Sequence, residues 1–332
     1  MKIRKYLSEF GLNVFTSYKT IIPVEHLNII KDGHDYHIYS IMSCPKVRFV
    51  KDSYKSSEEG ISLTLEKQIK DSVETIEIQH LVLDANLDHT KLSLDCPYPY
   101  NNLKVEINDN EWLNTFGRDL KSNTFSIEAQ GVLNISGPTR NWEFEILYIG
   151  QAFGKDGERI ATDRLKSHST LQKILTDYYS SHPDKQLYIF LFEFSPQLQM
   201  NFDGITGIYT ATQEEEDSHF NGVMSNPLKY NQIINIIEAA MINYFKPPYN
   251  VNFVENFPNE EHKGYSQYYD LDYNSLVVEI DLEFHGNFYV QLYSETNRIN
   301  SSFDFIRYDL FNDPNRKSMY DIFKANGKRD YI

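Results

Sequence analysis

An α+β fold is what the sequence predicts, and three patterns predict it. Alternating apolar and polar residues dominate the first part of the chain, and an amphipathic helical pattern covers 231–245. Between them the order runs strand, turn, strand, helix, strand, insertion, helix. At 332 residues, a prior of about 150 residues per domain gives two or three domains. The divisions fall at 1–123, a β-rich recognition or regulatory domain; 124–252, a small antiparallel sheet with flanking helices and an insertion at 195–229; and 253–332, a β-rich carboxy-terminal extension.

The first thirty residues are compatible with one short helix. Strands follow at 36–42, 61–65, 75–78, 80–83 and 92–94, broken by Asp, Asn, Gly and Pro, as an antiparallel sandwich or curled sheet requires. Residues 125–135 and 142–149 are expected to pair as a hairpin across Ser136-Gly137-Pro138-Thr139-Arg140, whose Gly and Pro form turns. The next helix turns Ile160, Leu165, Leu171, Ile174 and Leu175 inward and ends before His182-Pro183. The run 186–194 is apolar on both faces and belongs in the middle of a covered sheet. Residues 195–229 are polar and carry the acidic run Glu214-Glu215-Glu216-Asp217, which reads as a solvated insertion loop. The helix at 231–245 stops at Pro247-Pro248. A hairpin, 275–284 and 287–294 around His285-Gly286, then precedes a strand at 303–311 and a short terminal helix.

Two cysteines, Cys44 and Cys96, in a chain of this length fit a reducing compartment better than a disulfide framework. The basic start Met1 to Tyr6 leads into Ser8, Glu9, Gly11 and Asn13 rather than an apolar run, so no signal-peptide core is expected. No segment approaches the roughly 20 apolar residues that span a bilayer. These features predict a soluble cytoplasmic protein without a membrane partner. The net charge of -15 opposes nucleic-acid binding unless basic residues cluster on one face, a metal supplies part of the affinity, or the acidic regions restrain the activity.

Several residues carry chemistry. On the helix at 231–245, Ile234, Ile237, Met241, Tyr244 and Phe245 form one stripe, and Glu238 sits beside it. A carboxylate there calls for an ion-pair partner, a rim position or a bound cation. Arg164 and His168 are four apart, so on a helix they share a face and can meet one phosphate. Arg offers a planar charged fork and His a proton near neutral pH. In Tyr148-Ile149-Gly150, at the end of a strand, Gly150 allows close backbone approach. A phenol acts as a base only beside positive charge. Each has a plain structural reading too: an exposed Arg on a polar helix, an ordinary aromatic, a turn Asn after two prolines. The clusters His34-Asp35-Tyr36-His37 and Asp84 to His89 offer ligand types without a recognisable second cluster.

In order and spacing, Tyr148-Ile149-Gly150, Arg164, His168, Glu238 and Pro247-Pro248-Tyr249-Asn250 resemble the GIY-YIG nuclease family over roughly 120 residues. In that family a YIG strand precedes a helix bearing an Arg and a His or Tyr, and a later helix supplies a Glu. The resemblance implies a GIY-YIG-like central sheet and a Mg²⁺- or Mn²⁺-dependent endonuclease. Tyr148, Arg164, His168, Glu238 and Asn250 would be catalytic, with Glu238 the metal ligand. Gly150, Lys155, Arg159 and Lys166 would contact the substrate, a nucleic acid, with DNA favoured over RNA.

The first family element, Gly-Ile-Tyr, is degenerate. Its best match on the expected preceding strand is Gly131-Val132-Leu133, with Leu133 at the tyrosine position; the literal Gly207-Ile208-Tyr209 follows the YIG strand and reads as a decoy. The segment from Gly150 to Arg164 is also longer than usual, and Gln151 or Lys155 could compensate. The alternative is a degenerate fold serving as a nucleic-acid or protein interaction module, its β-rich flanks meeting a protein partner or a second copy. By fold analogy, restriction or anti-phage defence is one role consistent with such flanks.

Overall fold

A computed structural model describes residues 2–27, 33–118, 120–136, 141–153, 161, 165, 169–202, 209–284 and 288–320. Where the sequence allows a short helix, the chain instead opens on a long strand, β1 (Glu9–Pro23). Its Val, Thr, Ile and aromatic residues favour the pleat, and only a single 3-10 turn follows at Val24–His26. β2 (Ile38–Pro45) is buried on both faces.

The chain then builds two small antiparallel sheets. β3 (Val47–Phe49), β4 (Lys55–Ser57), β5 (Gly60–Ile69) and β6 (Ser72–Leu81) form one. β7 (Leu92–Asp95), β8 (Asn102–Ile107) and β9 (Thr124–Glu128) form the other, with α1 (Asn110–Thr115) between β8 and β9. Residues 129–136, expected to continue a strand of the YIG hairpin, form α2 (Ala129–Ser136). Ala129, Val132 and Leu133 recur at helical spacing and pack with Val47, Phe49 and Val105 in a core of their own. A short apolar run fits either period, and here the helical one wins.

After β10 (Asn141–Gln151) come α3 (Ser169–Ser181) and β11 (Lys185–Asn201). The expected insertion loop is largely regular structure: 195–201 extends β11, and α4 (Gln213–Ser225) follows. α5 (Tyr230–Phe245) matches the expected amphipathic helix. After α6 (Gln267–Asp270) the chain ends in β12 (Ser275–Asp281), β13 (Glu283–Phe284), β14 (Phe288–Tyr293), β15 (Arg298–Ile299) and β16 (Phe303–Asp309). The expected terminal helix lies outside the described residues.

Among the described residues, nine strands make one sheet in the order β13-β14-β10-β2-β11-β1-β12-β16, with β15 on β14. β10–β14 and β1–β12 are parallel and the other pairs antiparallel. β12 runs through Leu282 into β13, which pairs with β14 at the far end of the order, so the sheet curls nearly into a barrel. The fold is a strand-rich mixture of α and β. This sheet takes strands from 1–123, 124–252 and 253–332, so its edges do not coincide with those sequence boundaries.

Alternation explains how both faces are covered. From β11, Tyr188, Phe190, Phe192 and Phe194 join the core beneath α5. Leu187, Ile189 and Leu191 join the core on the other face, where α3 contributes Leu171, Ile174 and Tyr178. Cys44 and Cys96 are buried and unpaired in separate cores.

Candidate active site

Tyr148-Ile149-Gly150 lies at the end of β10, and the strand beside it is β2, not the 125–135 segment. The register is antiparallel, with Tyr148 opposite Ile41, Ile149 opposite Ser40 and Gly150 opposite Tyr39. A β-bulge between Ile146 and Tyr148 breaks the alternation. Phe144 and Ile146 point into the core under α5, Leu147 and Tyr148 turn to the α3 face, and Ile149 returns to the α5 core. The extra residue thus aims the Tyr148 ring toward Tyr39, with centroids 6.2 Å apart.

Gly150 makes that meeting fit. A Cβ there would lie 2.6 Å from the Tyr39 hydroxyl oxygen and 2.8 Å from Tyr148 Cε1. The fully buried Tyr39 ring therefore lies over the glycine backbone. The two strands stay joined just beyond this pairing: the His37 ring donates through Nδ1 to the Ala152 carbonyl at 2.8 Å, and Ala152 N–H donates to the His37 carbonyl at 2.8 Å.

β10 pairs with β14 only over 141–145, leaving its outer edge open at the YIG end. The turn after α5 fills that edge. Tyr249 N–H donates to the Leu147 carbonyl at 3.1 Å. Asn250 bonds Ile149 twice, accepting its N–H at Oδ1 (2.9 Å) and donating through Nδ2 to its carbonyl (2.8 Å). Expected to act on phosphate or a loop, the Asn250 amide holds the YIG strand. α5 itself docks on the same strand end, since Gln151 Nε2 donates to Asn235 Oδ1 and Asn235 Nδ2 donates to the Gly264 carbonyl at 3.0 Å. Glu238, half-buried, follows Asn235 by one turn on that helix.

Tyr39, Tyr148, Gly150 and Asn250 thus meet at one end of β10, with both tyrosines on the α3 face, while α5, which carries Glu238, packs on the opposite face and reaches the strand end through Asn235 and Gln151. Lys155, Arg159, Arg164, Lys166 and His168 lie outside the described residues. Two neighbours of theirs are described: Ala161 and Leu165 are helical and buried in the same core as Tyr39 and Leu147.

No family model, curated protein or solved structure matches the chain.

Leu133, expected at the position of the missing tyrosine, is buried in the core of the small sheets, so that expectation is corrected. The tyrosine beside the YIG strand is Tyr39, in the sequence His37-Ile38-Tyr39. An Ile-Tyr pair inside a strand apolar on both faces was the signal for it, but about 100 residues separate it from Tyr148. Of the literal Gly207-Ile208-Tyr209, only Tyr209 is described, and it bridges Arg4 rather than β10. The Asp84 to His89 cluster is taken up by local structure: His89 Nε2 accepts Leu83 N–H at 3.1 Å, and Asp88 caps the turn at His89–Lys91.

No group of three or more His, Cys, Asp or Glu side chains is gathered for a metal among the described residues. A single carboxylate, Glu238, fits a Mg²⁺ ion that keeps several waters and takes substrate phosphate oxygens, but not a cage built wholly from protein. No helix among the described residues is long and apolar enough to cross a membrane.

Proposed function

We propose that the chain is a metal-dependent endonuclease with a GIY-YIG-like site, cutting phosphodiester bonds of DNA or RNA. The observation that carries this reading is the antiparallel pairing of Ile38-Tyr39 with Tyr148-Ile149-Gly150, at a strand end bound to the Glu238 helix. It supplies a tyrosine for the element that the local sequence lacks. With Tyr39 present, loss of that tyrosine no longer favours a degenerate module.

In this reading Glu238 holds Mg²⁺ or Mn²⁺, and the bound ion supplies Lewis-acid stabilisation of the phosphate charge. Tyr148, half-buried, presents its phenol at this strand end, where it orients water and the scissile phosphate, and the fully buried Tyr39 ring packs beside it. Arg164 pairs with the phosphate oxygens as negative charge develops, and His168 donates or shuttles a proton. Gly150 leaves room for both rings, and Asn250 fixes the strand that carries Tyr148. The acidic net charge limits affinity for polyanions, which fits a site relying on a few directed contacts.

Cleavage of mixed DNA and RNA substrates in Mg²⁺ or Mn²⁺ tests the reading, comparing wild type with Glu238→Gln, Arg164→Ala and Tyr39→Phe. The first two are expected to lose at least about a hundredfold in rate, the scale for removing one charge-stabilising group, and Tyr39→Phe to lose less while remaining folded. Equal residual cutting by all four proteins would sink it.

A further inference from the structure

The small sheets meet the large one at a cleft of about 420 Å³, a volume within the range of about 300–1,000 Å³ typical of small-molecule sites. Two tyrosines line it. Tyr179, half-buried at the end of α3, forms part of the wall, and Tyr98, 84 % exposed, stands on the β7–β8 turn. That turn is anchored: Tyr100 N–H donates to the Pro97 carbonyl at 2.9 Å, and Phe49 N–H donates to the Tyr100 carbonyl at 2.7 Å. The Tyr100 ring stands edge-on to Tyr98, with centroids 5.8 Å apart and planes at 85°. Tyr98 is therefore a large apolar ring, left in water on a fixed support and next to a cavity. Among the described residues, Tyr100 is the one aromatic ring that meets it.

The charges in the cleft balance. Lys46 and Arg48 face Glu25 and Glu66. Arg48 Nε donates to Glu66 at 2.8 Å and Lys46 Nζ to the Pro183 carbonyl at 2.6 Å. A net-neutral lining suits no run of phosphates. It suits a neutral planar ring with donors and acceptors on its edge, and the amides of Gln68, Asn101 and Gln186 in the wall offer both. Stacking on an aromatic side chain then supplies sequence-tolerant affinity.

We infer that this cleft receives one unpaired base of a single-stranded nucleic acid, stacked on Tyr98, while the backbone stays outside. This rests on the reading that the chain acts on nucleic acid and narrows its substrate to strands with an accessible base. The probe is a short single-stranded DNA carrying one 2-aminopurine, whose fluorescence falls on stacking, titrated with the full chain bearing Glu238→Gln. Quenching is expected, with binding weakened about tenfold and quenching lost when Tyr98→Ala is added. An unchanged thermal melt of the double variant would show that the exposed Tyr98 is not structural. Equal quenching and affinity with Tyr98→Ala, or equal quenching of the same sequence as a duplex, would overturn the inference. So would binding of free 2-aminopurine deoxyriboside as tight as that of the strand. Tyr98-dependent quenching without any cleavage by wild type would uphold the inference while the nuclease reading fails. Cleavage by wild type with quenching indifferent to Tyr98 would defeat the inference alone.

Discussion

Gly150 shows what one missing methyl group does at the candidate site. Tyr39 is fully buried, so its ring has little room to retreat from a Cβ at 2.6 Å. Gly150→Ala is expected to cost about 1–3 kcal/mol in urea denaturation, the scale of overpacking a filled core, and to reduce cleavage by displacing the Tyr39 and Tyr148 rings. An unchanged urea midpoint would show that the two rings give way easily. At this scale the sequence exposed only part of the site. Tyr148, Gly150 and Asn250 stand in short local motifs, but the Asn250 amide is committed to Ile149, a contact no spacing rule reveals. Tyr39 was hidden because its link to Tyr148 is a backbone ladder between distant strands.

Among the elements, α4 is the instructive case. Its acidic run reads as a solvated loop, but in the fold Thr212 and Glu215 form a capping box that starts a helix. Thr212 Oγ1 accepts Glu215 N–H at 3.3 Å, while Glu215 accepts Thr212 N–H at 2.7 Å. Carboxylates in the first turn then meet the positive end of the helix dipole. Glu216 reaches further, accepting the N–H groups of Leu7 and Ser8 at 2.9 and 2.8 Å. Thr212→Ala should lower stability by about 1 kcal/mol, measured as a shift in denaturation midpoint without loss of the α5 core. A midpoint equal to wild type would mean that Glu216 alone fixes the helix start. α5 was read correctly because a long amphipathic period admits one interpretation. α2 was not, because a short apolar run fits strand or helix until its neighbours are known.

Across the whole molecule, the amino- and carboxy-terminal parts are clasped by a charged cluster. Arg316, 5 % exposed, donates to the wholly buried Glu9 at 2.6 Å and to Asp272 at 2.5 Å. Lys5 also pairs with Asp272, and the Tyr6 hydroxyl donates to it at 2.9 Å. Glu9→Gln leaves the guanidinium without one of its two carboxylates in a buried setting, and should cost about 3–5 kcal/mol in global stability. A loss below about 1 kcal/mol would show that Asp272 alone satisfies Arg316. Burial pushes the Asp272 carboxyl up, but Arg316 and Lys5 outweigh it and hold it below the ordinary carboxylate range. A carboxyl lowered in the folded state stabilises above its unfolded value, about 3.9, and that stability is lost as pH falls through the folded value. Urea midpoints followed from neutral pH downward should drop steeply below about pH 4 in wild type, and Asp272→Asn should flatten that drop. Equal slopes in the two proteins would remove Asp272 from the acid transition.

The sequence by itself determined the local elements: the strand-rich character, the two-faced strand at β11, the amphipathic α5 and the strand that ends in Tyr148-Ile149-Gly150. Periodicity and turn chemistry act over neighbouring residues, so those features can be read in order along the chain. Which strands lie together was decided only in three dimensions. The two small sheets form their own core between β2 and β10, so the chain departs and returns before the ladder closes. Strand pairing depends on backbone hydrogen bonds that carry no residue signature. The partner of Tyr148-Ile149-Gly150 therefore became visible only when the folded sheet set Tyr39 over Gly150.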